Sequence, residues 1–174
     1  MSGPLVLVVI DGFGIAPAGP GNAVSIARTP ALDALAAERG AQRRFAQDVL
    51  DVLPESVIGE TEVVVGPVMG GALLAHTIAG LMDGRRSLTH PQCSFAPISQ
   101  DRDGALVIRD FYNTVVQGRR VLLVDDVRNT GKTFEKGKAL IEAAGGHVIA
   151  TAEIYDRMEA VVDLGVPNYP LAEY

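Results

Sequence analysis

The chain has 174 residues, 48% of them hydrophobic and 21% charged, which suits one globular domain and excludes a disordered or low-complexity chain. A net charge of −6 with a pI near 5.0 argues against broad binding to nucleic acid or to an anionic membrane. The single cysteine, Cys93, excludes an internal disulfide, and no apolar run approaches the roughly twenty residues of a membrane span, so a reducing cytoplasm is the expected location.

Periodicity predicts strands near 5–10, 62–66, 105–109, 121–125 and 147–154, alternating with helices near 30–39, 43–53, 70–82 and 133–144. Such alternation specifies a parallel α/β sheet with helices on both faces and ligands at the carboxyl ends of the strands.

The first strand runs into Asp11-Gly12-Phe13-Gly14-Ile15, then Gly21-Asn22-Ala23 and Thr29-Pro30-Ala31-Leu32-Asp33. This stretch, residues 1–40, resembles the start of cofactor-independent phosphoglycerate mutases, in which the aspartate matching Asp11 binds a divalent metal. One such carboxylate with His76, His90 and His147 does not assemble a two-metal site, so the segment is read as a βα scaffold or the scar of a fusion, with a break near Gly40.

Next, the β-branched run Val63 to Val65 leads into Gly66-Pro67-Val68-Met69-Gly70-Gly71 and an apolar helix from Ala72 to about Leu81. Glycines at a strand-to-helix turn let backbone approach a ligand closely. Between Phe95 and Phe111 lies an acid-rich, arginine-containing stretch with the pattern of a hairpin.

Val121 to Val124 is a short apolar run of the kind buried on both faces of a parallel sheet. Asp125 and Asp126 stand at its carboxyl edge, followed by Val127, Arg128, Asn129, Thr130, Gly131, Lys132 and Thr133 at the start of a helix. Unpaired N–H groups and the positive end of the helix dipole make that turn an anion site, to which Thr130 and Thr133 add hydroxyls. The carboxylates suit neighbouring hydroxyls or a developing positive charge, so the ligand should carry a phosphate near a polyhydroxyl or cationic centre; a ribose 5-phosphate has that layout. A nucleoside-triphosphate P-loop is disfavoured, because its first glycine would fall at Asp126. A last strand, His147 to Ile154, ends in Tyr155-Asp156-Arg157, where an arginine fork suits a planar carboxylate.

Together these segments resemble the type I phosphoribosyltransferases over about residues 46–174, and most narrowly the orotate phosphoribosyltransferases. The resemblance implies a Rossmann-like core over 41–174 and transfer of ribose 5-phosphate from phosphoribosyl pyrophosphate (PRPP) to a nucleobase, orotate favoured, with Mg²⁺ as cofactor and no dedicated metal-ligating residues. It implies that Asp125 and Asp126 are catalytic, that Val127, Arg128, Asn129, Thr130, Gly131, Lys132 and Thr133 cradle the 5-phosphate, and that Val68, Met69, Gly70, Gly71 and Arg109 take the pyrophosphate. Arg157 and Asn129 would contact the base, relatives form homodimers, and no nucleic acid or membrane partner is expected.

Four features depart from the family pattern. Asn129 stands where a threonine is usual, and Arg128 and Lys132 are larger and more charged than the small or apolar residues normally found there. No lysine-histidine pair of the mobile loop is present; Arg85, Arg86, His90, Arg102 and Arg109 are the available donors. The familiar N-terminal hood motifs are also missing, so residues 1–40 either substitute for the hood, pack elsewhere or leave the site open. A non-catalytic PRPP-binding module and a transferase for a purine or other base remain the alternatives.

Overall fold

The computed structural model describes residues 39–68, 70–159 and 162–173, and the mutase-like segment lies almost wholly outside them. In chain order the elements are α1 (Arg39–Val52), α2 (Glu55–Glu60), β1 (Val63–Pro67), α3 (Gly70–Asp83), β2 (Ser94–Gln100), β3 (Leu106–Val107), α4 (Asp110–Val116), β4 (Arg120–Arg128), α5 (Lys132–Ala143), β5 (His147–Asp156) and β6 (Asn168–Glu173).

The strands form one six-stranded sheet in the order β3-β2-β1-β4-β5-β6. All neighbours are parallel except β2 and β3, so the expected all-parallel sheet gains one antiparallel edge. The hairpin read between Phe95 and Phe111 is this β2–β3 pair. Its turn is closed by Asp101, whose Oδ1 accepts from the amides of Asp103 and Ala105, both at 2.9 Å, with Gly104 at φ +82°.

Burial on both faces explains the apolar runs. Val64, Leu122 and Val124 pack with α1, α2 and α3 through Leu50, Ile58, Ala75 and Ile78, whereas Val63, Val65, Val121 and Leu123 pack on the opposite face with Val116 of α4 and Phe134 and Ile141 of α5. A register shift pairs Val121 with Val148 but Leu122 with Ala150. The extra residue in β5 puts Val148 on the α5 face and Ala150 and Ala152 on the α3 face.

Several elements differ from the sequence expectation. The strand expected at 105–109 shrinks to two residues because it is an edge pairing only with the end of β2. β2 itself (SFAPISQ) carries Pro97 and two serines yet pairs with β1 from Ser94 to Ile98, Pro97 lying opposite Gly66. β6 contains Pro170, which an edge position tolerates because one side of the strand makes no ladder bonds. α2 and α4 are too short and too rich in β-branched residues to show a helical period. Among the described residues no helix is long and apolar enough to cross a membrane.

Between β1 and β4 the connections diverge. From β1 the chain crosses through α3 to β2, and from β4 it crosses through α5 to β5, the two helices lying on opposite faces. An open sheet leaves a crevice at such a point, beyond the carboxyl ends of the strands.

Candidate active site

β1 pairs with β4 only as far as Leu123, while β5 follows β4 to its end at Arg128. The aspartates therefore stand inside a strand whose β1 side has opened. Asp125 is buried, 8% exposed, and Asp126 is exposed. The Asp126 amide donates to Asp125 Oδ1 and the Val127 amide to Asp126 Oδ1, each at 2.9 Å, which orients both carboxylates along the backbone. Burial pushes the Asp125 carboxyl well above the usual carboxylate range, and the Asp126 charge pushes it the same way.

The opening is filled by the glycine turn. A Cβ on Gly71 would stand 2.7 Å from Asp125 Oδ1 and 2.9 Å from the Val124 carbonyl oxygen, and one on Gly70 would strike the Asp126 carboxylate. A Cβ on Gly66 would strike the Gly71 carbonyl. Gly70 and Gly71 are thus glycine because the turn closes directly on the aspartate pair, and Gly66 because the turn folds back against its own strand. The Val68 amide donates to the Ile98 carbonyl at 2.8 Å, tying the turn to β2. Met69 lies outside the described residues.

On the other side of the aspartates, Asn129, Thr130, Lys132 and Thr133 are exposed around a buried Gly131. Gly131 takes φ +78° as the N-cap of α5 and has no side chain to cap the helix. The first amides of α5 are therefore left without a side-chain acceptor, and the hydroxyls of Thr130 and Thr133 stand beside them.

The guanidinium of Arg128, expected in the phosphate cradle, is instead buried under the turn: it pairs with Asp156 at 3.8 Å and lies 5.9 Å over the Phe134 ring. Arg157 directly follows β5, and its amide donates to the Arg128 carbonyl at 3.0 Å. Its guanidinium donates to Glu159 Oε1 at 3.0 Å, so a protein carboxylate stands where the sequence leads one to expect a ligand's. Met158 takes φ +56° between them, its amide held by Asp156 Oδ1 at 2.8 Å.

Arg109 is not brought to the glycine turn by any described contact. It is the exposed N-cap of α4, past the edge strand β3, with β2 between it and β1. Arg85 and Arg86 are structural: Arg85 pairs with Asp51 and donates to the Leu50 carbonyl, and Arg86 donates to the Ile58 and Thr61 carbonyls. His90 is exposed in the following turn.

A group of buried polar residues behind the turn escaped the sequence reading. Glu153, fully buried opposite Asp125, accepts from Asn168 Nδ2 at 2.7 Å, and Asn168 Oδ1 accepts from the Thr151 hydroxyl at 2.6 Å. Burial holds the Glu153 carboxyl up at about 7; the nearby Asp156 charge also raises it, and the Asn168 bond and Arg128 oppose the rise. The signal was present as a glutamate inside the apolar run V-I-A-T-A-E-I.

The family model for a phosphoribosyl transferase domain matches residues 32–164. The chain belongs to the phosphoribosyltransferase family. It is 31% identical over 130 residues to the orotate phosphoribosyltransferase of Erythrobacter litoralis, covering 75% of this chain and 62% of that protein. The enzyme of the same name from Sphingopyxis alaskensis is 33% identical over 129 residues, covering 74% and 60%. The chain thus spans about three fifths of the length of these relatives.

Solved phosphoribosyltransferases share the fold. An adenine phosphoribosyltransferase from Thermoanaerobacter pseudethanolicus superposes with a TM-score of 0.64 at 16% identity, covering 82% of this chain and 86% of that one. The orotate phosphoribosyltransferase of Aeropyrum pernix gives 0.58 at 20% identity, covering 82% and 76%.

Proposed function

We propose that this member of the family transfers ribose 5-phosphate from PRPP to orotate, releasing pyrophosphate and forming orotidine 5'-monophosphate. The observation that carries the reading is the closure of Gly70 and Gly71 onto Asp125 and Asp126, at the sheet's switch point and beside the uncapped N-terminus of α5. Phosphate-binding backbone on both sides of a carboxylate pair suits a sugar that carries a phosphate at one end and pyrophosphate at the other.

In this reading the amides of the turn, with Asn129, Thr130 and Thr133, anchor the 5-phosphate and fix C1 of the ribose, removing positional freedom before reaction. The bond from C1 to the pyrophosphate oxygen breaks, a ring nitrogen of the base forms the new bond to C1 and gives up its proton to solvent, and pyrophosphate leaves with the electron pair. Asp125 and Asp126 hold the ribose hydroxyls, and the exposed Asp126 offsets the positive charge that develops on the sugar. Gly70 and Gly71 face the departing pyrophosphate with backbone alone.

Magnesium bound to the pyrophosphate would neutralise the leaving group. Among the described residues no group of three metal-ligating side chains occurs, and one or two carboxylates with substrate oxygens are a donor set that Mg²⁺ accepts. We extend the proposal to pyrimidine nucleotide formation, on the strength of the orotate-named relatives, and to a cytoplasmic homodimer, on the family resemblance and the single cysteine alone.

The decisive experiment incubates the protein with PRPP, Mg²⁺ and orotate and follows orotidine monophosphate. Absence of product with orotate, adenine, guanine, hypoxanthine and uracil alike refutes transferase activity. One observation favours a second reading, a PRPP-binding module without turnover: the Arg157–Glu159 pair occupies the base-side arginine. Calorimetric binding of PRPP without product from any base is the result that selects it.

A further inference from the structure

Arg128 is the last residue of β4 and the last charge before the phosphate turn, yet it lies beneath that turn. Its side chain and that of Asp156 are 10% and 7% exposed. The guanidinium lies over Phe134 in the first turn of α5, and Nη2 donates to the Val162 carbonyl at 3.5 Å. The point where a Cβ on Gly131 would sit is 3.6 Å from Nε and 3.7 Å from Nη2, ordinary van der Waals contact. The flat guanidinium is the floor of the turn.

The same residue reaches the base side. Arg128 is the β4 partner of Asp156, and its carbonyl accepts from the Arg157 amide. One side chain and its own backbone thus touch the phosphate turn, the first turn of α5 and the strand end that carries Arg157. A buried ion pair is no more stabilising than a well-packed apolar pair of the same volume, so stability alone does not account for a charge here. The long hydrogen bond to the Val162 carbonyl, the ion pair with Asp156 and the stacking plane over Phe134 specify its position, while the buried Nε has no hydrogen-bond partner among the described residues.

We propose that Arg128 is a positioning residue that sets the Gly131 turn against α5 and the end of β5, holding the phosphate cradle and Arg157 at a fixed separation. The inference rests on reading that turn as a phosphate cradle, but its geometric part is measurable without ligand. Four variants test it: Arg128→Leu, Arg128→Lys, Asp156→Asn, and the double change Arg128→Leu with Asp156→Asn, which removes both charges and keeps the Oδ1 acceptor of the Met158 amide. For each, ¹⁵N relaxation reports the order of the Thr130–Thr133 amides, thermal unfolding reports stability, and calorimetry with Mg²⁺ reports PRPP affinity.

The expected result is a fall of the turn's order parameters from the rigid range near about 0.85 toward about 0.6 in Arg128→Leu, with a smaller fall in Arg128→Lys and Asp156→Asn. PRPP affinity should weaken by about tenfold to a hundredfold in step with that loss of order. The double variant should regain the thermal midpoint but neither turn order nor affinity, which a merely structural residue would recover together with stability. If Arg128→Leu does not fold, the Lys and Asn variants decide the matter through the same amides. Wild-type order in the turn of these variants, or full recovery in the double variant, overturns the proposal. Failure of the wild type to bind PRPP sinks the cradle reading instead, while relaxation still decides whether Arg128 sets the turn.

Discussion

Glu153→Gln is the substitution whose effect the structure defines most sharply. Glu153 is fully buried on β5, with Asp125 opposite it on β4, Asp156 and Arg128 nearby, and Asn168 of β6 donating to it. Its carboxyl is raised from 4.5 to about 7, with burial the largest cause. The folded state therefore holds a proton that the unfolded chain releases. The stabilisation from that proton is fully present below the unfolded value of 4.5 and is lost as pH rises through about 7.

At roughly 1.36 kcal/mol per decade of proton affinity, the loss amounts to about 3 kcal/mol, a large part of a typical domain stability of about 5–15 kcal/mol. Glutamine keeps an acceptor for Asn168 Nδ2 but does not titrate. Urea unfolding of wild type and variant at about pH 5 and about pH 8 should show the stability gap shifting in favour of glutamine by about 3 kcal/mol at the higher pH. Asp125, also raised, is present in both proteins, and the Glu153 charge is the smallest of the causes that raise it, so its titration contributes little to the difference. A gap that stays constant across this range would refute the assignment of a near-neutral buried acid to Glu153.

Other expected outcomes follow from the site itself. Asp126→Asn should lower transferase turnover by about two to three orders of magnitude, measured as orotidine monophosphate formation, with an unchanged thermal midpoint because Asp126 is exposed. Gly70→Ala drives a methyl into the Asp126 carboxylate and should weaken PRPP binding in calorimetry, at a stability cost of about 1–3 kcal/mol. Gly131→Ala forces a side chain into φ +78° and should cost about 1–2 kcal/mol in urea unfolding. Arg157→Ala should raise KM for the base about tenfold or more while leaving PRPP affinity near wild type; equal losses for both ligands would remove Arg157 from the base side.

The amino-acid order alone was enough to find β1, β4 and β5 and the helices α1, α3 and α5, because strands buried on both faces are continuous apolar runs and the helices carry an apolar stripe. It also marked both turns of the candidate site, since glycine before α3 and the aspartate pair before α5 are local features of backbone and charge. What it left out depends on partners distant in the chain. β2 and β6 contain proline and polar residues and become strands only by pairing with β1 and β5. The closure of Gly70 on Asp126 needs both crossovers in place. Whether an arginine faces ligand or protein is decided by what packs around it: Arg128, which reads as a phosphate donor, has Asp156 and Phe134 to bury it, and Arg157, which reads as a base contact, has Glu159 within reach. Charge and spacing are properties of the chain, but burial, and with it the pairing and protonation of those charges, exists only once the sheet is assembled.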